Sequence, residues 1–258
     1  MTHIAQPRMA VYRPSHSNGT GMLVVAGGGY AHIERGQEST PACRWLQSLG
    51  VTGFELFYRL PQDGWPPVAP FQDAQRAMRI VRAHAADFRL DPQRIGALGF
   101  SAGAHLVGMT AVRPTARLYS PVDAADLVSA RPDCLGLIYP VLTMMPPFDH
   151  TRSRHEILGE HPSVVENKAW SVERQVDTHT PPTFLAQAAD DPISPVDNSL
   201  MMFQALRAAR VPAEMHVFQS GRHGWGMGKP GSEETAWPAL FAKWAAINGF
   251  LSDDARND

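Results

Sequence analysis

The 258-residue sequence has little cysteine, almost no net charge and no long apolar run. Two cysteines, Cys43 and Cys134, cannot build a disulfide framework. They lack a C-x-x-C spacing, so no structural zinc site, and no metal site of any kind, is expected. Lys and Arg number 23 against 25 Asp and Glu, for a formal charge of −2. That balance excludes a strongly basic nucleic-acid binder and a polybasic membrane anchor. No apolar stretch reaches the roughly 18 residues a membrane span needs. Residues 1–8, MTHIAQPR, lack the apolar centre of a signal peptide. The expectation is a cytoplasmic protein with neither membrane nor nucleic acid as partner; a signal peptide already removed would leave the same pattern. No internal repeat, low-complexity tract or linker divides the chain, so residues 1–258 are expected to form a single domain.

Hydrophobic residues make up 44% and charged residues 19%, the balance of a chain with a packed core. Proline is frequent, 22 of 258, and falls in connections. Short apolar runs alternate with helical patterns. Strands are expected at 22–26, 51–58, 94–100, 134–139, 183–188 and 214–218. Between them, Thr40-Pro41 reads as an N-cap and first helical residue, and Gly50 is placed to end that helix. At 73–88, Ala74, Ala77, Met78, Val81, Ala85 and Phe88 share one helical face, with Arg76, Arg79 and Arg82 off it. Further helices are expected from Ala102, over 199–210 and over 238–251. Alternating strands and helices predict an α/β fold with a mostly parallel sheet covered on both faces. Ligands of such sheets sit beyond the carboxyl ends of the strands.

The sharpest local signal is Gly99-Phe100-Ser101-Ala102-Gly103, a G-x-S-x-G between an apolar strand and a small-residue helix. A serine on so tight a turn takes a strained backbone conformation, and its neighbours two residues away must be tiny. Its hydroxyl needs a base and a group to orient that base. In strand-turn-helix hydrolases these follow in the order Ser, Asp, His. Asp191 stands just past the fifth expected strand and His223 just past the sixth. Asp190 is the alternative acid, otherwise a solvated or capping carboxylate; Asp191 is favoured because it precedes Pro192. Among eleven histidines, His223 alone combines a strand-end position with the required order; His105, one turn after Ser101, is expected to pack beneath the turn. Developing negative charge on an acyl carbon's oxygen needs preorganised N–H donors. Gly28 and Gly29, within GGGY at 27–30, and Ala102 are the candidates. The glycines carry neither the Gly-Lys-Ser/Thr ending of a P-loop nor a G-x-G-x-x-G opening a helix, so no nucleotide cofactor is expected.

These segments together resemble the α/β-hydrolase superfamily, and within it the acetyl-xylan-esterase-like branch that includes bifunctional feruloyl and acetyl esterases. The resemblance covers about residues 20–250. It rests on GGGY at 27–30, PFQDAQRAMRIVRAHA at 70–85, DPQRIGALGFSAGAHL at 91–106, RPDCLGLIYPV at 131–141, residues 181–218, and GRHGWG at 221–226. It implies a cofactor-free serine hydrolase acting on carboxylic esters, often acetyl groups on sugars, with a small-molecule or oligosaccharide ester as partner. A general short-chain carboxylesterase or lipase-like enzyme, and a catalytically silent hydrolase-fold binding protein, are the alternatives. Two departures stand out. Ala26 precedes the three glycines where relatives carry His or Pro. The stretch 32–38 is also unusually charged, and reads as a solvated loop. An irregular insert at 140–182 is expected to fold over the strand ends as a short cap that shapes the substrate site. Tyr30, Trp65, Met144 and Trp225 are the candidate substrate-contacting side chains.

Overall fold

The computed structural model describes residues 1–251; the last positions of the expected 1–258 unit, 252–258, lie outside the described residues. Seven strands form one sheet in the order β1-β3-β2-β4-β5-β6-β7. They are β1 (Arg8–Tyr12), β2 (Gly21–Val25), β3 (Thr52–Phe57), β4 (Ile95–Phe100), β5 (Leu135–Ile138), β6 (Thr183–Ala188) and β7 (Ala213–Phe218). All neighbours run parallel except β1, which pairs antiparallel with β3, Val11 opposite Phe54. This is the α/β-hydrolase fold. The six parallel strands match the expected runs to within one or two residues. β1 lies outside the expected runs: RMAVY is a short edge strand with Arg8 and Val11 exposed, so it lacks the fully apolar signature of the buried strands.

The alternation of side chains along β2 divides the core. Leu23 and Val25 face one way, into a cluster with Ala74 and Met78 of α2 (Ala69–Ala83), Leu106 of α3 (Ala102–Val112) and Met202 of α6 (Asp197–Ala208). Met22 and Val24 face the other way, against Cys43 and Leu46 of α1 (Ser39–Ser48) and Phe241 of α7 (Trp237–Ile247). Both cysteines are buried and unbridged. The remaining helices, α4 (Arg152–Leu158) and α5 (Val164–Ala169), lie in the 140–182 segment.

Local corrections have simple physical causes. Thr40 is not an N-cap. Helix α1 starts at Ser39, two residues before the expected Pro41, and the Thr40 hydroxyl, with that of Ser39, donates to the Glu55 carboxylate at 2.7 Å. Glu55 is wholly buried inside β3, and Tyr12 also donates to it, at 2.8 Å. A charge so placed must be paired, and it recruits the nearby hydroxyls. Helix α2 begins at Ala69 rather than 73, with Pro70 in its first turn, and gives way to a 3₁₀ turn, Ala85–Phe88. Gly50 follows α1 with φ +78°, a conformation that costs glycine nothing.

One close approach places the site. A Cβ on Gly103 would overlap the carbonyl oxygen of Val25 and lie 2.6 Å from that of Ala26. A Cβ on Gly99 would lie 2.5 Å from the Gly103 oxygen. The start of α3 therefore rests directly on the backbone at the end of β2. Gly103→Ala is expected to destabilise the fold by about 1–3 kcal/mol, because the added methyl meets rigid backbone rather than a movable side chain. Thermal unfolding of the variant against wild type measures it.

Candidate active site

Ser101 follows β4 directly, with φ +51° and ψ −119°. A non-glycine residue holds this conformation only when its surroundings impose it. Here they do: the Ser101 N–H donates to Ile138 O at 2.9 Å, and its carbonyl accepts the N–H of Ala104 at 3.1 Å. The hydroxyl is thereby fixed at the end of the sheet. His223 comes from the loop after β7, where Gly221, Arg222 and Gly224 all have positive φ. Its Nε2 lies 2.8 Å from Ser101 Oγ, and its Nδ1 lies 2.7 Å from Asp191 Oδ2. The carboxylate can only accept, so Nδ1 carries the proton and the neutral ring's Nε2 accepts from the serine hydroxyl.

Asp191 owes its orientation to the proline that follows it. Pro192 has no N–H, and the next two amides, Ile193 and Ser194, turn back to donate to Asp191 Oδ1 at 2.8 and 2.9 Å. Gln187 Nε2 donates to the other oxygen, Oδ2, at 3.1 Å and to Ser194 O at 2.6 Å. Asp190 has the capping role: its Oδ1 accepts the Arg222 N–H at 2.7 Å and ties down the His223 loop.

Gly28 and Gly29 face the same spot. Their N–H groups meet no acceptor among the described residues. Ala102 opens α3, so its N–H has no partner within the helix. Gly27 packs so closely that a Cβ there would lie 2.7 Å from Ser101 Cβ. The Ala26 carbonyl accepts the Tyr58 hydroxyl at 2.9 Å, a contact that ties the entry of the glycine loop to the end of β3. A cavity of about 320 Å³ opens here, lined by Gly28, Gly29, Ser101, Val141, Arg152, Ile193 and His223 among others.

The four candidate substrate contacts do not line this cavity. Tyr30 is fully buried, its hydroxyl on His105 Nδ1 at 2.8 Å. Met144 is fully buried, its N–H bound to Ser171 Oγ. Trp65 lines a separate cavity with His3, Ile4 and Ala5, under the Arg59 guanidinium. Trp225 is buried against Tyr139, ring centroids 4.6 Å apart, and Tyr139 in turn packs on His223. Tyr30, Met144 and Trp225 found core and Trp65 another cavity, outcomes that spacing in the sequence does not distinguish. Arg152 and Ile193 were missed. Arg152 comes from the 140–182 segment, where only the start of α4 and Val141 reach the cavity. Its Nη2 donates to Gln62 Oε1 at 2.7 Å. The beginning of the segment is core instead: Leu142 and Thr143 donate their N–H groups to the buried Asn198 Oδ1. The charged 32–38 stretch is solvated at His32 and Glu34, but Glu38 is buried at the cavity wall. No sequence signal marks Glu38 apart from its neighbours.

His105 packs beneath the turn. Its Nε2–H donates to Trp170 O at 2.8 Å, so Nδ1 accepts from Tyr30. Burial lowers its pKa to about 4, against the opposing pull of the Trp170 carbonyl. Among the described residues no group of three or more His, Cys, Asp or Glu could hold a metal ion, and no helix is long and apolar enough to cross a membrane.

Comparison with known proteins follows the geometry. The BD-FAE family matches residues 9–206. Endo-1,4-beta-xylanase B of Butyrivibrio fibrisolvens is 35% identical over 205 residues, 79% of this chain and 32% of that protein. Acetylxylan esterase of Xylanibacter ruminicola is 30% identical over 227 residues, 86% of this chain and 44% of that protein. The chain thus spans less than half the length of these two relatives. Among solved structures, an acetyl ester-xyloside bifunctional hydrolase from Caldicellulosiruptor lactoaceticus superposes with a TM-score of 0.88 at 37% identity, covering 95% of this chain and 89% of that one. An esterase from Thermogutta terrifontis, at 24% identity and TM-score 0.81 over 96% of this chain and 92% of that one, shares the fold.

His105 supplies a stability test. Unfolding between pH 6.5 and 4 lets this residue take up a proton that the native state excludes, so its contribution to stability is full above pH 6.5 and falls as pH drops toward 4. Urea unfolding across this range is expected to show a shallower acid loss for His105→Gln than for wild type.

Proposed function

The chain belongs to the BD-FAE family, and from that premise we propose that it is a serine esterase that removes acetyl groups from carbohydrate. The single observation that carries this reading is the unbroken series from Ser101 Oγ through His223 to Asp191, at 2.8 and 2.7 Å, beside unpaired backbone N–H groups. The names of the xylan-active relatives supply the substrate class.

The reaction follows from the protons. His223 Nε2 takes the Ser101 proton as Oγ attacks the ester carbonyl carbon, and Asp191 steadies the imidazolium that forms. The carbonyl oxygen becomes an oxyanion held by the N–H groups of Gly28, Gly29 and Ala102. The tetrahedral intermediate collapses, the alcohol leaves with the proton from His223, and an acyl-serine remains. His223 then draws a proton from water, whose oxygen attacks the acyl carbon, and a second collapse releases the acid and restores the serine. No cofactor enters. The 140–182 segment shapes the site through Val141 and Arg152. The partner is a small-molecule or oligosaccharide ester.

Ser101→Ala is expected to lower kcat for p-nitrophenyl acetate by about 10⁴-fold or more, and Asp191→Asn by about 10³–10⁴-fold, since the Asn amide favours the wrong tautomer of His223. Unchanged turnover in Ser101→Ala would exclude the nucleophile. Wild-type hydrolysis is expected to rise with pH as the base loses its proton; a flat profile from pH 5 to 8 contradicts His223 as that base. Acetylated xylooligosaccharides, feruloyl esters and p-nitrophenyl esters of graded acyl length then test the class: preference for the acetylated sugars supports it, and faster cleavage of longer simple acyl chains favours a general carboxylesterase.

A further inference from the structure

The reaction above leaves one buried carboxylate at the cavity unused. Glu38, 3% exposed, immediately precedes α1. Its Oε2 accepts the N–H of Gly27 at 2.6 Å. Its Oε1 accepts the hydroxyl of Tyr139 at 2.9 Å. That hydroxyl in turn accepts the N–H of Gly226, at 3.1 Å. Tyr139 directly follows β5, and its ring stands edge-on to His223, centroids 5.0 Å apart. One carboxylate therefore joins three segments that are distant in the chain: the glycine loop, the end of β5 and the loop that carries His223. The same loops touch again where Gly226 lies against the Gln37 carbonyl, so closely that a Cβ would overlap it.

The charge environment is sparse. Burial pushes the Glu38 carboxyl up to about 7, while the bonds from Gly27 and Tyr139 and the nearby His223 pull it down and Glu34 pushes it up. Tyr58 faces it from the end of β3. Asp191 lies on the far side of His223. His223 is thus flanked by two carboxyl groups, one in direct contact and one behind Tyr139.

We propose that Glu38 is a positioning residue for the esterase reaction: through Gly27 and Tyr139 it holds the N–H donors of the glycine loop and the His223 loop in one register, and in its ionised form it favours the imidazolium formed during attack. The proposal rests on the assignment of Ser101, His223 and Asp191 given above. Two donors point at the carboxylate, so an acceptor-only group suits the place. Glutamine keeps the shape and one accepting oxygen but loses the charge. Alanine removes both links and leaves the Gly27 N–H and the Tyr139 hydroxyl without their shared partner.

The test is steady-state hydrolysis of p-nitrophenyl acetate from pH 5 to 9 by wild type, Glu38→Ala, Glu38→Gln and Ser101→Ala, each checked for a cooperative thermal transition. Glu38→Ala is expected to lose about 10–100-fold in kcat with KM within about threefold of wild type, since misaligned donors weaken the transition state more than binding. Glu38→Gln is expected to recover most of that loss. Its acid limb of kcat/KM should move to lower pH by up to about half a unit, because the attraction that ionised Glu38 exerts on the imidazolium is gone. A purely structural role would not move that limb. If Glu38→Ala fails to fold, the displacement in Glu38→Gln decides alone. A Glu38→Ala kcat within twofold of wild type, or a Glu38→Gln acid limb that superimposes on wild type, overturns the proposal. Ser101→Ala separates the two failures. If it keeps wild-type turnover, the esterase reading itself falls; if it is inactive while Glu38 variants behave as wild type, only the role of Glu38 falls.

Discussion

The contact on which the site depends is backbone against backbone, where the first turn of α3 rests on the end of β2. It exists because residues 99 and 103 have no side chain. Any methyl group there would lift the helix, and with it Ser101, away from Gly27 and from the carbonyl of Ile138 that holds the turn. The unusual φ of Ser101 is the consequence of that packing. Strain of this kind persists only where surrounding contacts over-determine the conformation, and here the sheet on one side and the glycine loop on the other both do so.

A second layer of the design lies in how the loops are tied to one another. Strands hold the loop bases, but a strand end fixes a loop tip only loosely. The tips here are fixed by short-range polar contacts: Asp190 on the Arg222 amide, Gln187 on Asp191, and Glu38 on both Gly27 and Tyr139. Buried polar networks of this sort stabilise a unique geometry only when their members are satisfied. Asp191 is an example: both its oxygens are engaged before His223 is counted, so its carboxylate has little freedom to turn away.

The sequence was most legible where local chemistry and tertiary demand coincide. The six parallel strands are apolar runs because both faces are covered, and the G-x-S-x-G glycines are glycines because of the close approach just described. Ser101, Asp191 and His223 could be nominated from strand-end position and order, with the G-x-S-x-G turn marking the serine and Pro192 favouring Asp191 over Asp190. It was least legible for side chains whose role depends on what sits opposite. Tyr30, Met144, Trp65 and Trp225 have the chemistry of ligand contacts and serve as packing or line another cavity. Glu38 and Glu55 have the chemistry of surface charges and are buried. Arg152 reaches the cavity from a segment with no strong periodicity, so nothing in its sequence context announces it.

The order of strands and helices, the tight serine turn and the proline that turns the chain behind Asp191 were set by the sequence itself, because each follows from the steric needs of a few adjacent residues. Convergence was decided only in three dimensions. Which aromatic rings fill the core, which acids are buried and which cation borders the cavity depend on partners 11 to 101 positions away. Burial and pairing are properties of the neighbours a residue acquires on folding, and no local pattern encodes them.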